Sequence, residues 1–104
     1  MIRMGQVMYL HKDAYVEYEK RHAELWPEMK AALKQYGATN YSIFLNELNG
    51  QTFAYLEVPD IMTYNKIAET HICKKWCQYM EPLMDTNEDN RPVTTDLTEV
   101  FHLD

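Results

Sequence analysis

The stretch Tyr18-Glu19-Lys20-Arg21-His22-Ala23-Glu24-Leu25-Trp26-Pro27-Glu28 sets an imidazole among aromatic rings. At about 100° per residue of helix, Tyr15, Tyr18, His22 and Trp26 share one narrow stripe. A core stripe is ordinarily built from Leu and Val. This one carries phenols, an indole and the side chain whose unperturbed pKa lies near neutrality. Phenols and indoles offer an apolar body with a polar tip, and imidazole moves protons in either direction. The combination suits a small polyhydroxylated ligand, apolar on its faces and hydroxyl-bearing at its edges, and a proton transfer on it. The alternative for His22 is a core histidine with one satisfied nitrogen, and spacing alone serves both readings.

Two more residues belong with this stripe. Tyr41 opens the segment that follows the first helix and is within reach of the same pocket. Trp76 lies in the middle of the second helical region, where its indole either lines that pocket or packs against a sheet. The chain has eight tyrosines and two tryptophans, an aromatic content that stacking on a sugar ring would use.

Other chemistries find no support. The remaining histidines, His11, His71 and His102, sit near element ends or in a terminal strand. None pairs with another at the i, i+4 spacing of a metal site, so no metal is expected. There is no G-x-G-x-x-G or P-loop pattern, and three glycines in all do not make a phosphate cradle of that kind. No G-x-S-x-G elbow occurs, and no carboxylate pair stands out among sixteen acids. Cofactor-free proton transfer by His22, aided by phenols, survives. Cys73 and Cys77 lie four apart in a helical pattern. A bridge there would gain little loop-closure entropy, so both read as free thiols in a reducing cytoplasm; a redox pair is the alternative, and no C-x-x-C spacing supports it.

The elements that must position these residues follow from periodicity. Ile2 to Leu10 alternates as a strand, with Ile2, Met4, Met8 and Leu10 on one face. Asp13 stands where a helix cap or first-turn acid belongs. Helical spacing then runs to Tyr36 and stops at Gly37, with Pro27 expected to kink or restart it. Ala38 to Leu45 reads as a strand with Tyr41, Ile43 and Leu45 on one face. Asn49-Gly50 signals a hairpin, completed by Thr52 to Val58. Asp60 caps a second helical region that reaches Leu83, with a break at Thr70. A polar loop over 85–92 leads to a last strand, Leu97 to Leu103.

The order is β-α-β-β-α-β, an α+β fold of the ferredoxin-like kind, in one domain spanning residues 1–104. Its helices cover one sheet face. The other is apolar enough to need a partner, and a homodimer with the two sheets meeting is expected. The net charge of −6 opposes nucleic acid or an anionic membrane as partners. No window approaches the roughly 20 apolar residues of a membrane span, and the N-terminus lacks a signal-peptide run.

At these residues the chain resembles the L-rhamnose mutarotase family. The likeness is carried by Met1-Ile2-Arg3, by Tyr18-x-x-Arg21-His22-x-x-x-Trp26-Pro27-Glu28, by Gly37-Ala38-x-Asn40-Tyr41, and by Pro92-Val93 leading to Glu99-Val100-Phe101. It covers essentially the whole chain. The resemblance implies a dimeric α+β barrel that interconverts the α and β anomers of L-rhamnopyranose without metal or cofactor. It implies that His22 is the proton donor, and that Tyr18, Tyr41 and an adjacent tryptophan pair bind the sugar. Trp76 matches the first of that pair, whereas Cys77 stands where the family often has the second. A thiol is far smaller than an indole, so the pocket is expected to be roomier there, or filled by a neighbour such as Tyr79. Two other readings are kept as alternatives: a monooxygenase of the same barrel architecture, and a non-catalytic sugar-binding or dimerisation module.

Overall fold

The period-two pattern at the N-terminus forms β1 (Ile2–Tyr9) in a computed structural model that describes residues 1–104. The order continues with α1 (Tyr15–Ala23), α2 (Pro27–Gln35), β2 (Thr39–Asn46), β3 (Gln51–Val58), α3 (Ile61–Asn65), α4 (His71–Met80) and β4 (Thr95–Leu97). A 3-10 turn over Lys66–Glu69 joins α3 to α4. The four strands make one antiparallel sheet in the order β2-β3-β1-β4. This is the expected ferredoxin-like α+β fold, with the helices on one face.

Local chemistry accounts for the element ends. Pro27 takes the first position of α2, where the missing N–H costs nothing, so the helical pattern restarts there rather than bending. Gly37 follows α2 at φ 97°, and the amide of Ala38 donates to the Leu33 carbonyl at 2.9 Å while that of Gly37 donates to Lys34 at 3.1 Å. These two bonds define a Schellman motif, which favours glycine at that φ. Asp60 accepts from the Thr63 amide at 3.0 Å and caps α3. Thr70 accepts from the Cys73 amide at 3.3 Å and caps α4, which explains the break there. Asp13 makes no capping bond. Ala14 occupies the cap position of α1, and its amide donates to the His11 carbonyl at 3.0 Å in a preceding turn.

The core lies between helices and sheet. Met8, Ala54, Ile43 and Leu45 from the strands meet Tyr18, Met29, Ala32, Trp76 and Met80 from the helices. A smaller cluster of Ala38, Leu56 and Val58 closes the far end. On the opposite sheet face Phe44 pairs across with Phe53, and Gly5 with Leu97. All three apolar side chains are exposed, Phe44 by 68%.

The last strand is shorter than its sequence pattern. Only Thr95–Leu97 pairs with β1, opposite Gly5 to Val7. Beyond it Glu99 forms a two-pronged ion pair with Arg3, at 2.6 and 2.9 Å. Val100, Phe101 and Leu103 are exposed. Alternation marks a surface that wants burial, and a single copy of the chain offers these residues none.

Candidate functional site

Tyr18 and His22 lie one turn apart on α1, and their rings are tilted at a centroid distance of 4.4 Å. The His22 Nδ1 lies 3.2 Å from the Tyr18 carbonyl oxygen. A carbonyl only accepts, so Nδ1 carries the hydrogen and Nε2 presents its lone pair. Burial pushes the His22 pKa below the usual histidine value, partly offset by that backbone bond. The ring is therefore neutral at pH 7, with one tautomer and one nitrogen left unbonded.

The indole of Trp76, from the middle of α4, stands edge-on to this imidazole. Trp76 also meets Trp26 edge-on at 5.0 Å. Trp26 in turn lies 5.1 Å from the Tyr79 ring, and the Arg21 guanidinium sits 4.0 Å over that ring's centre. Arg21 also donates to the Tyr79 carbonyl and, at 2.7 Å, to Glu17. The end of α1 is thus clasped to α4 by a guanidinium and three aromatic rings, with His22 beside the clasp.

In front of these rings lies a cavity of about 990 Å³ between the helices and the inner sheet face. That is at the upper end of the range for small-molecule sites. Tyr18, His22, Tyr41, Trp76 and Cys77 all line it. The five residues singled out from sequence are therefore brought to one place. A bulge between Thr39 and Ser42, with Asn40 at φ 49°, precedes the regular part of β2 and sits beside Tyr41. Tyr41 keeps 37% of its surface, and that surface faces the cavity.

Burial raises the phenol pKa of Tyr18, and the nearby Tyr41 adds to the shift. Tyr41 is raised by burial too, partly offset by the neighbouring Tyr64 phenol. Buried phenols stay protonated at neutral pH and act as hydrogen-bond donors rather than as bases.

Two expectations need correction. Trp26 does not line the cavity. The helix ends at Ala23, so the 100° spacing lapses before residue 26, and the indole braces Trp76 from behind. Tyr79 does not fill the space beside Cys77, because it is held away under Arg21. Tyr64 joins the lining from the one-turn helix α3 and was not visible in the sequence. A single turn carries no periodicity, and its phenol is recognised only once Tyr41 faces it. No group of three or more His, Cys, Asp or Glu is placed to hold a metal ion.

Fold and site together define a ferredoxin-like α+β domain with a half-buried, neutral histidine in an aromatic pocket under its helices. The family model described as L-rhamnose mutarotase matches residues 3–103. The L-rhamnose mutarotase of Lactiplantibacillus plantarum is 85% identical over 104 residues, covering 100% of both chains. The crystal structure of L-rhamnose mutarotase from Formosa agariphila aligns with a TM-score of 0.92 at 38% identity, again over 100% of both chains. The chain belongs to the L-rhamnose mutarotase family. A crystal structure of an antibiotic biosynthesis monooxygenase aligns with a TM-score of 0.63 at 12% identity, over 96% of this chain and 99% of that one. That likeness is one of fold alone.

Proposed function

We propose that the aromatic cavity binds L-rhamnopyranose and that His22 carries one proton between its anomeric hydroxyl and its ring oxygen. The family's activity, interconversion of the α and β anomers of L-rhamnose, is the activity of this chain. The observation that supports His22 as its agent is the tie between Nδ1 and the Tyr18 carbonyl, which leaves Nε2 as the single working nitrogen in the cavity wall.

The chemistry balances on that nitrogen. Neutral Nε2 takes the proton from the hydroxyl on C1. The C1–O bond to the ring oxygen then breaks as C1 becomes a carbonyl, and the imidazolium gives the same proton to the departing oxygen. The two oxygens share C1, so one nitrogen reaches both in turn. After the carbonyl rotates, the steps reverse and the other anomer forms. Tyr18 and Tyr41 donate hydrogen bonds to sugar hydroxyls, and Trp76 presents an apolar surface to the ring. Cys77 leaves room beside Trp76 for the sugar's edge. The reaction proceeds slowly in water alone, so the roughly 10²–10⁴-fold from one positioned acid–base group is sufficient help.

Two further features belong to this reading. Residues 1–104 act as one domain, and two copies pair through the exposed Phe44, Phe53 and Leu97 face, with the apolar C-terminal residues covered in the pair. No helix is long and apolar enough to cross a membrane. The free thiols of Cys73 and Cys77 suit a reducing cytoplasm.

Polarimetry on freshly dissolved α-L-rhamnose tests the function. The optical rotation should reach equilibrium faster with the protein than without it, and an unchanged relaxation time would end the proposal.

A further inference from the structure

The sugar cavity shares a wall with a second one. This outer cavity, of about 430 Å³, is lined by His71, Lys74, Lys75 and Asp89. Cys73, Cys77 and Arg91 line both. The two cysteines are free thiols one helical turn apart on one face of α4. The two neighbouring thiols act on each other, lowering the Cys73 pKa from the ordinary thiol value and raising that of Cys77. The Arg91 guanidinium, held in place by Glu69 and Asp89, favours the Cys73 thiolate further. The thiolate is the form that oxidants attack.

We propose that Cys73 and Cys77 are a peroxide-oxidisable thiol pair in the sugar-cavity wall, and that their closure as a disulfide displaces Trp76 and suppresses sugar turnover. The second half of this statement rests on the sugar reading of the inner cavity; the first half does not.

The chemistry needs hydrogen peroxide or an organic hydroperoxide as oxidant, entering through the outer cavity. The Cys73 thiolate attacks one peroxide oxygen. An S–O bond forms, the O–O bond breaks, and the leaving oxygen takes up a proton as water (an alcohol, for an organic hydroperoxide). The Cys77 sulfur then displaces the sulfenic oxygen, which leaves as water with the Cys77 proton. Two thiols and one hydrogen peroxide become one disulfide and two waters.

Helix geometry ties this bond to the site. Residues at i and i+4 have Cα atoms about 6 Å apart, within the range a disulfide accepts. Their Cβ atoms stand about 5–6 Å apart, farther than the roughly 3.5–4.5 Å of a relaxed bridge. Closure therefore drags the turn that carries Trp76, which touches both His22 and Trp26. A bridge made under such strain is easily reduced, so the change is reversible.

The test treats the full chain with hydrogen peroxide and follows intact mass, free thiols and L-rhamnose anomer exchange together. The expected result is the loss of two hydrogens, no titratable thiol and an exchange rate lowered about tenfold or more, all restored by dithiothreitol. Cys73→Ser and Cys77→Ser should each form no internal bridge and show no thiol-reversible loss, each being compared with its own untreated rate. Thiols that stay titratable, or a mass change confined to methionine oxygenation, would overturn the pair. A bridge that forms without slowing exchange would overturn its coupling to the site. A protein inactive before any oxidant is added would instead overturn the mutarotase reading, while the thiol count would still decide on the pair.

Discussion

The Trp76 indole and the His22 imidazole meet edge to face, with centroids 5.6 Å apart and planes at 88°. With Nδ1 bonded to the Tyr18 carbonyl, the imidazole is held in one orientation. Pre-set geometry of this kind lets a single acid–base group act without reorganising.

Replacing His22 with Ala removes that group and little packing. The exchange rate measured by NMR saturation transfer should fall by about 10²–10⁴, with the far-ultraviolet circular dichroism unchanged. A variant that keeps the parental rate would take the proton carrier away from His22.

The pH profile follows from the depressed His22 pKa. Burial disfavours the imidazolium, so the neutral working form persists below the ordinary value of about 6.5. Activity should be flat from neutrality to about pH 6.5 and decline only beneath it. Stability has the same sign: the unfolded chain takes up this proton first, so the folded state loses ground as the pH falls. Titration of the His22 ring signals by NMR locates the midpoint. A midpoint above 6.5, or a rate that rises with acid, contradicts the scheme.

Arg21 joins the end of α1 to α4 through the Tyr79 ring, the Tyr79 carbonyl and Glu17. Arg21→Ala should cost about 1–2 kcal/mol and lower Tm by several degrees in calorimetry. Because His22 is the next residue, the same variant should slow turnover more than it weakens sugar binding. Arg21→Lys keeps the charge without the planar fork and should recover only part of both. A variant with parental Tm and rate would show the clasp to be idle.

The exposed Phe44, opposite Phe53, lies on the face proposed to pair two copies. Phe44→Asp places a charge there and should shift the mass in sedimentation equilibrium from dimer toward monomer. Parental protein that sediments as a monomer at micromolar concentration would remove the pairing altogether.

Much of this organisation was legible in the chain, for identifiable reasons. Tyr18 and His22 were recognisable because the helix between them is unbroken, and Asp60 and Thr70 because capping chemistry is local. Trp26 was misplaced because Pro27 ends the regular spacing it was read from. Asp13 was misread because a turn led by His11 already supplies the entry to α1. The terminal strand was overextended because its alternation describes a contact that one copy does not contain. Tyr64 was missed because only tertiary folding brings a one-turn helix against β2. The clasp by Arg21 joins residues 58 apart, a separation at which no spacing rule operates.

The break at Pro27 has an electrostatic consequence. It forces α1 to finish at Ala23, so His22 rides in that helix's last turn. The carbonyl ends there form the negative pole of the macrodipole, which favours a cation by about 0.3–1 kcal/mol. The imidazolium proposed for each turnover would thus be met by oriented backbone, without a carboxylate whose permanent charge would pin the proton in place.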